Sequence, residues 1–378
     1  MQGMAASTLL AGCTGGGDAT RTNGGETDTV TDTETATETE TATATETSTE
    51  PEPTTERRTV ENFAYPEGAS REGVDAATLY RTHRSSIVDA GSVTVEVERS
   101  TDRGSRTSSI TQTNKFGSAG VSRETARSSL TETLWSPSGD DQGYVRMSTG
   151  FEDRYRIDNA APDPQTVIEL RLFESLLAGA TWSEAKTVVE ANDGHAVVYE
   201  STGVANERRV MDGTVFGDAV SEFTAEIAVS ESGLVARVEY DVTVERESRA
   251  VRQQASVANT SLGDTTVPEP SWSDTARADG VQFSVDLTDD SRLIAAEMTN
   301  GTSIDADASV NLSSRQFGTG SLGESLAEGQ TLYVGLSDQG DLVTGVDERP
   351  TGTEPLNDFV FFSVRAKEFL LLEAEFRL

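Results

Sequence analysis

The chain has 378 residues, 64 of them acidic against 30 basic, for a formal net charge of -34. A surface of that sign excludes nucleic acid, whose phosphates need a basic face, and excludes charge-driven docking on anionic lipid. The single cysteine, Cys13, rules out a disulfide framework, and the length suggests two domains plus extensions.

The first 13 residues, MQGMAASTLLAGC, form a short apolar stretch closed by Leu10, Ala11, Gly12 and Cys13. LAGC resembles a lipobox, the pattern at which a lipoprotein signal is cut. That resemblance implies that Cys13 becomes the first residue and carries a lipid on its sulfur. Small residues before the cut let an extended backbone enter a peptidase cleft, and a thiol is the nucleophile that takes the lipid. A secretory signal opens with positive charge, and MQGMAAS has none, so a start codon further upstream is expected. The competing reading is an idle thiol in a polar tail.

Residues 14–58 are low in complexity, with threonine at nearly every second position, alternating with Glu, Asp or Ala. No apolar face exists to offset the ordering entropy, so a disordered stalk is expected. As a flexible coil it spans roughly 35–40 Å. Its composition also suits O-glycosylation.

Residues 59–267 read as an antiparallel sheet domain with helices. YPEG (65–68) leads into a helix capped by Asp75 and closed by Gly91. Leu79, His83 and Ile87 fall on one stripe at i, i+4, i+8. His83 reads as a packed helix histidine rather than a ligand or base, because no Ser or Cys motif accompanies it. Strands are expected at 92–100, 106–116, 121–129, 130–137 and 143–148. A second helix starts at Asp163 with Pro164 at its first position and runs through QTVIELRLFESLLAG to Gly179. Its apolar surface is wider than one stripe, which makes Ile168, Leu172, Phe173 and Leu176 the residues to face an apolar ligand, if one is held. Strands at 181–190, 195–204, 222–230 and 234–245 follow, with turns at NDG (192–194) and SESG (230–233).

Three features together, the even acidic coat, only three lysines (Lys115, Lys186, Lys367) and low hydrophobicity, resemble proteins of salt-in halophilic archaea. An ordinary acidic secreted protein is the plainer alternative. The lipobox, the stalk, YPEG with His83, the long meander and LGDTTVPEPSW (262–272) resemble a haloarchaeal lipoprotein family of unknown function. The body also resembles the carrier fold of bacterial LolA- and LppX-like proteins. That resemblance implies an α+β fold in which a curved antiparallel sheet wraps helices on one face and encloses a cavity for acyl chains. No catalytic or ligand residues come with it.

VPEPSW (267–272) marks a boundary, and no helical period follows it. About seven short strands in 268–378 suggest an immunoglobulin-like β-sandwich, without the Cys-Trp-Cys signature. GTGSLG (318–323) matches a dinucleotide motif in letters only and is taken as a loop, since no βαβ setting surrounds it. DLTDD (286–290) and DADAS (305–309) are acidic runs that lack the EF-hand glycine and glutamate. Two histidines, His83 and His195, cannot build a His-rich zinc site, and no GxSxG elbow exists. Sequons at Asn259, Asn300 and Asn311 are candidates for N-glycosylation.

The expected function is therefore non-enzymatic, with no metal or cofactor. The chain reads as a lipid-anchored lipoprotein on the extracytoplasmic face of a halophile's membrane, holding an apolar or lipid ligand between sheet and helix. The alternative is a structural or interaction protein of the envelope with no small-molecule ligand.

Overall fold

The computed structural model describes residues 58–192, 194–357 and 359–377. The lipobox at Leu10–Cys13 and the stalk before Arg58 lie outside them. Two short strands, β1 (Ala69–Ser70) and β2 (Gly73–Val74), pair as a ribbon ahead of helix α1 (Ala76–Ala90). The caps of α1 are those the sequence announces. Asp75 accepts the Thr78 N–H, and Gly91 at φ 70 returns its N–H to Ile87 and Val88.

Six strands then run up and down: β3 (Val93–Asp102), β4 (Thr107–Gly117), β5 (Gly120–Arg127), β6 (Leu130–Pro137), β7 (Gly143–Ser148) and β8 (Asp153–Asp158). Helices α2 (Pro164–Val167) and α3 (Leu170–Gly179) follow. A second meander holds β9 (Ala180–Trp182), β10 (Thr187–Ala191), β11 (Gly194–Val204), helix α4 (Glu207–Gly213), β12 (Ala219–Ser230), β13 (Val235–Arg246) and β14 (Arg249–Thr260). The meanders join where β14 pairs with β3. The result is one sheet in the order β10-β11-β12-β13-β14-β3-β4-β5-β6-β7-β8, with β9 beside β11, antiparallel throughout.

Alternation divides the two faces. Val93, Val95 and Val97 of β3, Val238 and Val242 of β13, and Val257 of β14 meet α1 and α3 in a single core that includes Leu79, Leu172 and Phe173. Further along the same face, Leu134, Val145 and Met147 pack against the C-terminal strands instead. On the opposite face, Trp135, Tyr144 and Ile157 are covered by Val267, Trp272 and Ala276. The VPEPSW segment is thus part of a packed layer, and it leads into helix α5 (Ser273–Asp279).

The C-terminal strands are β15 (Gln282–Leu287), β16 (Ile294–Asn300), β17 (Ser309–Ser313), β18 (Phe317–Ser321), β19 (Thr331–Leu336), β20 (Leu342–Val346), β21 (Phe359–Ala366) and β22 (Phe369–Arg377). They form two four-stranded antiparallel sheets, β15-β16-β19-β20 and β18-β17-β21-β22. Ile294 and Val334 of one share a core with Val310 and Phe362 of the other. The chain is α+β as expected, with a strong β majority.

Four expectations need correction. The helix predicted from 164 to 179 is broken at Glu169, which adopts φ 58 and separates α2 from α3. Helices α4 and α5 are too short for their periodicity to register, so a helix does follow residue 267. The strand predicted at 181–190 is two strands, β9 and β10, lying against different stretches of β11. Residues 318–321 of the glycine-rich "loop" belong to strand β18, where Gly318 lies flat against Leu336 and Leu342 because a side chain would collide there.

Candidate functional site

The four residues expected to face a ligand are core residues. Ile168 is 4% exposed, Leu172 3%, Phe173 0% and Leu176 1%, and all belong to the cluster that joins α3 to the sheet. The helix surface is broad because α3 is covered by α1, α4 and the sheet together. Its apolar residues pack in the core between α1, α4 and the sheet.

His83, also fully buried, lies 4.6 Å from the Phe173 ring, centroid to centroid. Its Nδ1 accepts the main-chain N–H of Val235 at 3.2 Å. Burial lowers its pKa to about 3, so the ring is neutral and its proton is on Nε2. Nε2 is buried without a partner. This is the packed helix histidine the pattern suggested, with one nitrogen satisfied.

A polar strip crosses the same face beside the core. The Arg99 guanidinium reaches the Glu169 carboxylate at 3.9 Å, and burial raises the Glu169 pKa against the pull of Arg99 and Arg123. Tyr240 donates to Gln253 Oε1 at 2.7 Å, and Gln253 Nε2 donates to Thr101 at 3.2 Å. Asn114 lies fully buried next to Val95 and Arg123 in the register, with neither amide atom partnered. The strip braces the helix break at Glu169 against the sheet.

A wide opening lies on the other face. It is an open trench of about 730 Å³ crossing β11, β12, β13, β14, β3 and β4. One wall is a continuous cross-strand row: Thr111, Glu98, Ser256, Glu239, Glu226 and Glu200. The opposite wall includes Ser100, Gln254 and Asp241, and the floor between the two walls is strand backbone. Arg237 bridges Glu226 at 2.9 Å and Glu239 at 3.5 Å. Arg252 and Gln254 hold Asp241, whose carboxyl is kept below the usual carboxylate range by those bonds. Among the described residues, no cation lies within ion-pairing distance of Glu98 or Glu200. The trench walls offer hydrogen-bond acceptors and negative charge. Alternation marks Glu96 and Glu98 as outward residues from sequence alone. The row itself depends on which strands become neighbours, which sequence does not state.

No group of three or more His, Cys, Asp or Glu residues is arranged to hold a metal ion among the described residues. In DLTDD, the carboxylate of Asp290 accepts from Thr288 and from the Arg292 N–H, which makes it a turn brace. The three sequons fare differently. Asn259 is 2% exposed and gives its Nδ2 to Val235 O at 2.7 Å, a position that no glycan can occupy in the folded chain. Asn300 is half-buried, with Nδ2 on Gly280 O at 2.7 Å. Asn311 is half-buried on an outward strand position.

Residues 42–276 match a family of unknown function, DUF7537. The chain belongs to that family. The match covers more than half of the chain, spans the whole large sheet and stops within α5, leaving β15–β22 outside it. No curated protein matches the sequence. Among solved structures, the lipoprotein LppX of Mycobacterium tuberculosis is similar at 16% identity over 52% of this chain and 100% of that one, with a TM-score of 0.24. The Pseudomonas aeruginosa MucA/MucB complex gives 14% identity over 74% and 95%, with a TM-score of 0.22. A putative outer membrane lipoprotein-sorting protein domain from Vibrio parahaemolyticus gives 8% over 52% and 97%, with a TM-score of 0.20. Values this low carry no functional argument. Among the described residues, no helix is long and apolar enough to cross a membrane.

Proposed function

We propose that this chain is a non-enzymatic lipoprotein of a salt-adapted archaeon, anchored through Cys13 on the extracytoplasmic face of the membrane, and that its body is an interaction module. The LAGC motif, the threonine-rich stalk and the acidic composition support the placement. The observation that supports interaction over lipid carriage is the packing of Ile168, Leu172, Phe173 and Leu176 in the core, while the polar trench is an open concave surface. Its carboxylates suit a partner that presents cationic or hydroxyl groups in an extended segment.

Two measurements test this. Cys13→Ser should move the chain from the membrane fraction to the medium, and retention in the membrane would sink the anchor. Native mass spectrometry of the chain purified in molar salt should show the bare protein mass. A stoichiometric co-purifying lipid would restore the carrier reading and would mean that α3 lifts from the sheet.

A further inference from the structure

The outward face of the sheet β18-β17-β21-β22 carries an aromatic patch that the core does not explain. Phe317 is 65% exposed and Phe359 45%, and Phe361, on the same face as Phe359, is half-buried. The register brings two of them together. Ser313, on the central strand β17, stands directly opposite Phe317 of β18 on one side and Phe361 of β21 on the other. Directly opposed residues have Cβ atoms about 4.5–5.5 Å apart, and diagonal ones remain within reach of aromatic rings. Thr319, Ser309 and Glu373 are polar residues of the same face.

Ser313 is also the hydroxyl residue of the sequon Asn311-Leu312-Ser313. Leu312 is buried in the sandwich core, so Asn311 and Ser313 both face outward. Asn311 is therefore diagonal to both phenylalanines. Its Nδ2 makes only a long contact, 3.4 Å, to Ser363 Oγ. This differs from the other two sequons. Asn259 is buried and bonded to Val235, and Asn300 is clamped to Gly280.

We propose that Asn311 carries an N-linked glycan whose first sugar lies across Phe317 and Phe361. The amide nitrogen takes the sugar's anomeric carbon in place of one of its hydrogens, and the sugar comes from an activated carrier whose phosphate leaves. The C–H face of the sugar covers the exposed Phe317 ring and the half-buried Phe361 ring, while its hydroxyls stay solvated. An exposed apolar patch beside an acceptor asparagine thus acquires one specific, covalent occupant.

The inference rests on the extracytoplasmic placement proposed above. The test is glycopeptide mass spectrometry on the full chain from the cells that make it, with membrane and soluble fractions analysed separately. The expected result is added hexose or hexosamine mass on the Asn311 peptide and its loss in Ser313→Ala, which keeps Asn311 itself. A chain recovered from the membrane with Asn311 bare overturns the glycan and leaves the placement standing. A chain found inside the cell and bare overturns both. The stacking has a separate readout. Ser313→Ala should lower Tm in the native background and leave it unchanged in a Phe317→Ser/Phe361→Ser background. An equal shift in both backgrounds overturns the aromatic contact.

Discussion

His83 and Asn259 take the two main-chain groups of one residue, Val235. The imidazole Nδ1 accepts its N–H at 3.2 Å, and the Asn259 amide donates to its carbonyl at 2.7 Å. Val235 opens β13 at a register shift, where Val229 pairs with Val235 and Ala228 with Arg237, so one residue has no strand partner of its own. Two side chains, one from α1 and one from β14, do the work of a strand there. A residue that looks like a candidate base and one that looks like a glycan acceptor are thus both structural.

That geometry sets an acid limit. The folded pKa of His83 is lowered to about 3 by burial, while an unfolded histidine titrates near 6.5. Between those values the unfolded chain binds a proton that the folded chain refuses, so stability falls as pH falls from about 6.5 toward 3. The slope approaches about 1.4 kcal/mol per pH unit. His83→Gln is expected to be less stable than the native chain at pH 7, because packing is lost. That deficit should shrink as the pH drops to 4. Urea midpoints for both proteins at matched high salt measure it, and a deficit independent of pH would mean that His83 already titrates normally in the folded state.

The histidine's packed role was visible in the sequence because Leu79, His83 and Ile87 share a stripe whose spacing depends only on helix geometry. The α1 caps and the alternation of β3 were legible for the same reason: each is a local rule. The sheet order, the break at Glu169 and the trench were not. They depend on β14 finding β3 across about 150 residues, on Arg99 holding a carboxylate from the helix break, and on six strands aligning their outward positions. The packing of Ile168, Leu172, Phe173 and Leu176 against the sheet was not legible for a related reason. A wide apolar helix surface looks the same in sequence whether it lines a cavity or fills one.

YPEG yields a second prediction. Gly68 has φ 85, and a Cβ there would collide with the main chain of Leu79 in α1. Gly68→Ala is therefore strained twice, by its backbone angle and by the clash with helix backbone that cannot move aside. It should lower the unfolding midpoint more than Gly91→Ala, where φ is also positive but no atom stands within 4 Å of the added carbon. Equal losses for the two would show that the loop is free to shift away from the helix.

The filled core predicts a stability phenotype rather than a ligand phenotype. Phe173→Ala removes a fully buried ring and should cost about 3–5 kcal/mol, and Leu172→Ala about 2–5 kcal/mol. Denaturant midpoints read both. A variant that kept native stability while changing the lipid bound to the purified chain would assign these side chains to a ligand.

Charge supplies the last prediction. Glu200 stands directly opposite Glu226 across β11 and β12, and Glu226 opposite Glu239. Arg237 relieves the second pair, but no cation bridges the first. Like charges facing each other directly across strands are destabilising. Glu200→Gln should therefore stabilise the chain by a few tenths of a kcal/mol at 0.1 M KCl, where the screening length is about 10 Å. The gain should vanish at 1 M, where that length is about 3 Å. The native midpoint should rise over the same range, because the net charge of -34 repels itself less. Sucrose, which favours burial without screening charge, should leave the Glu200→Gln difference intact. If that difference survives molar KCl, the carboxylates are held apart by something other than ionic repulsion, and the electrostatic account of the trench fails with it.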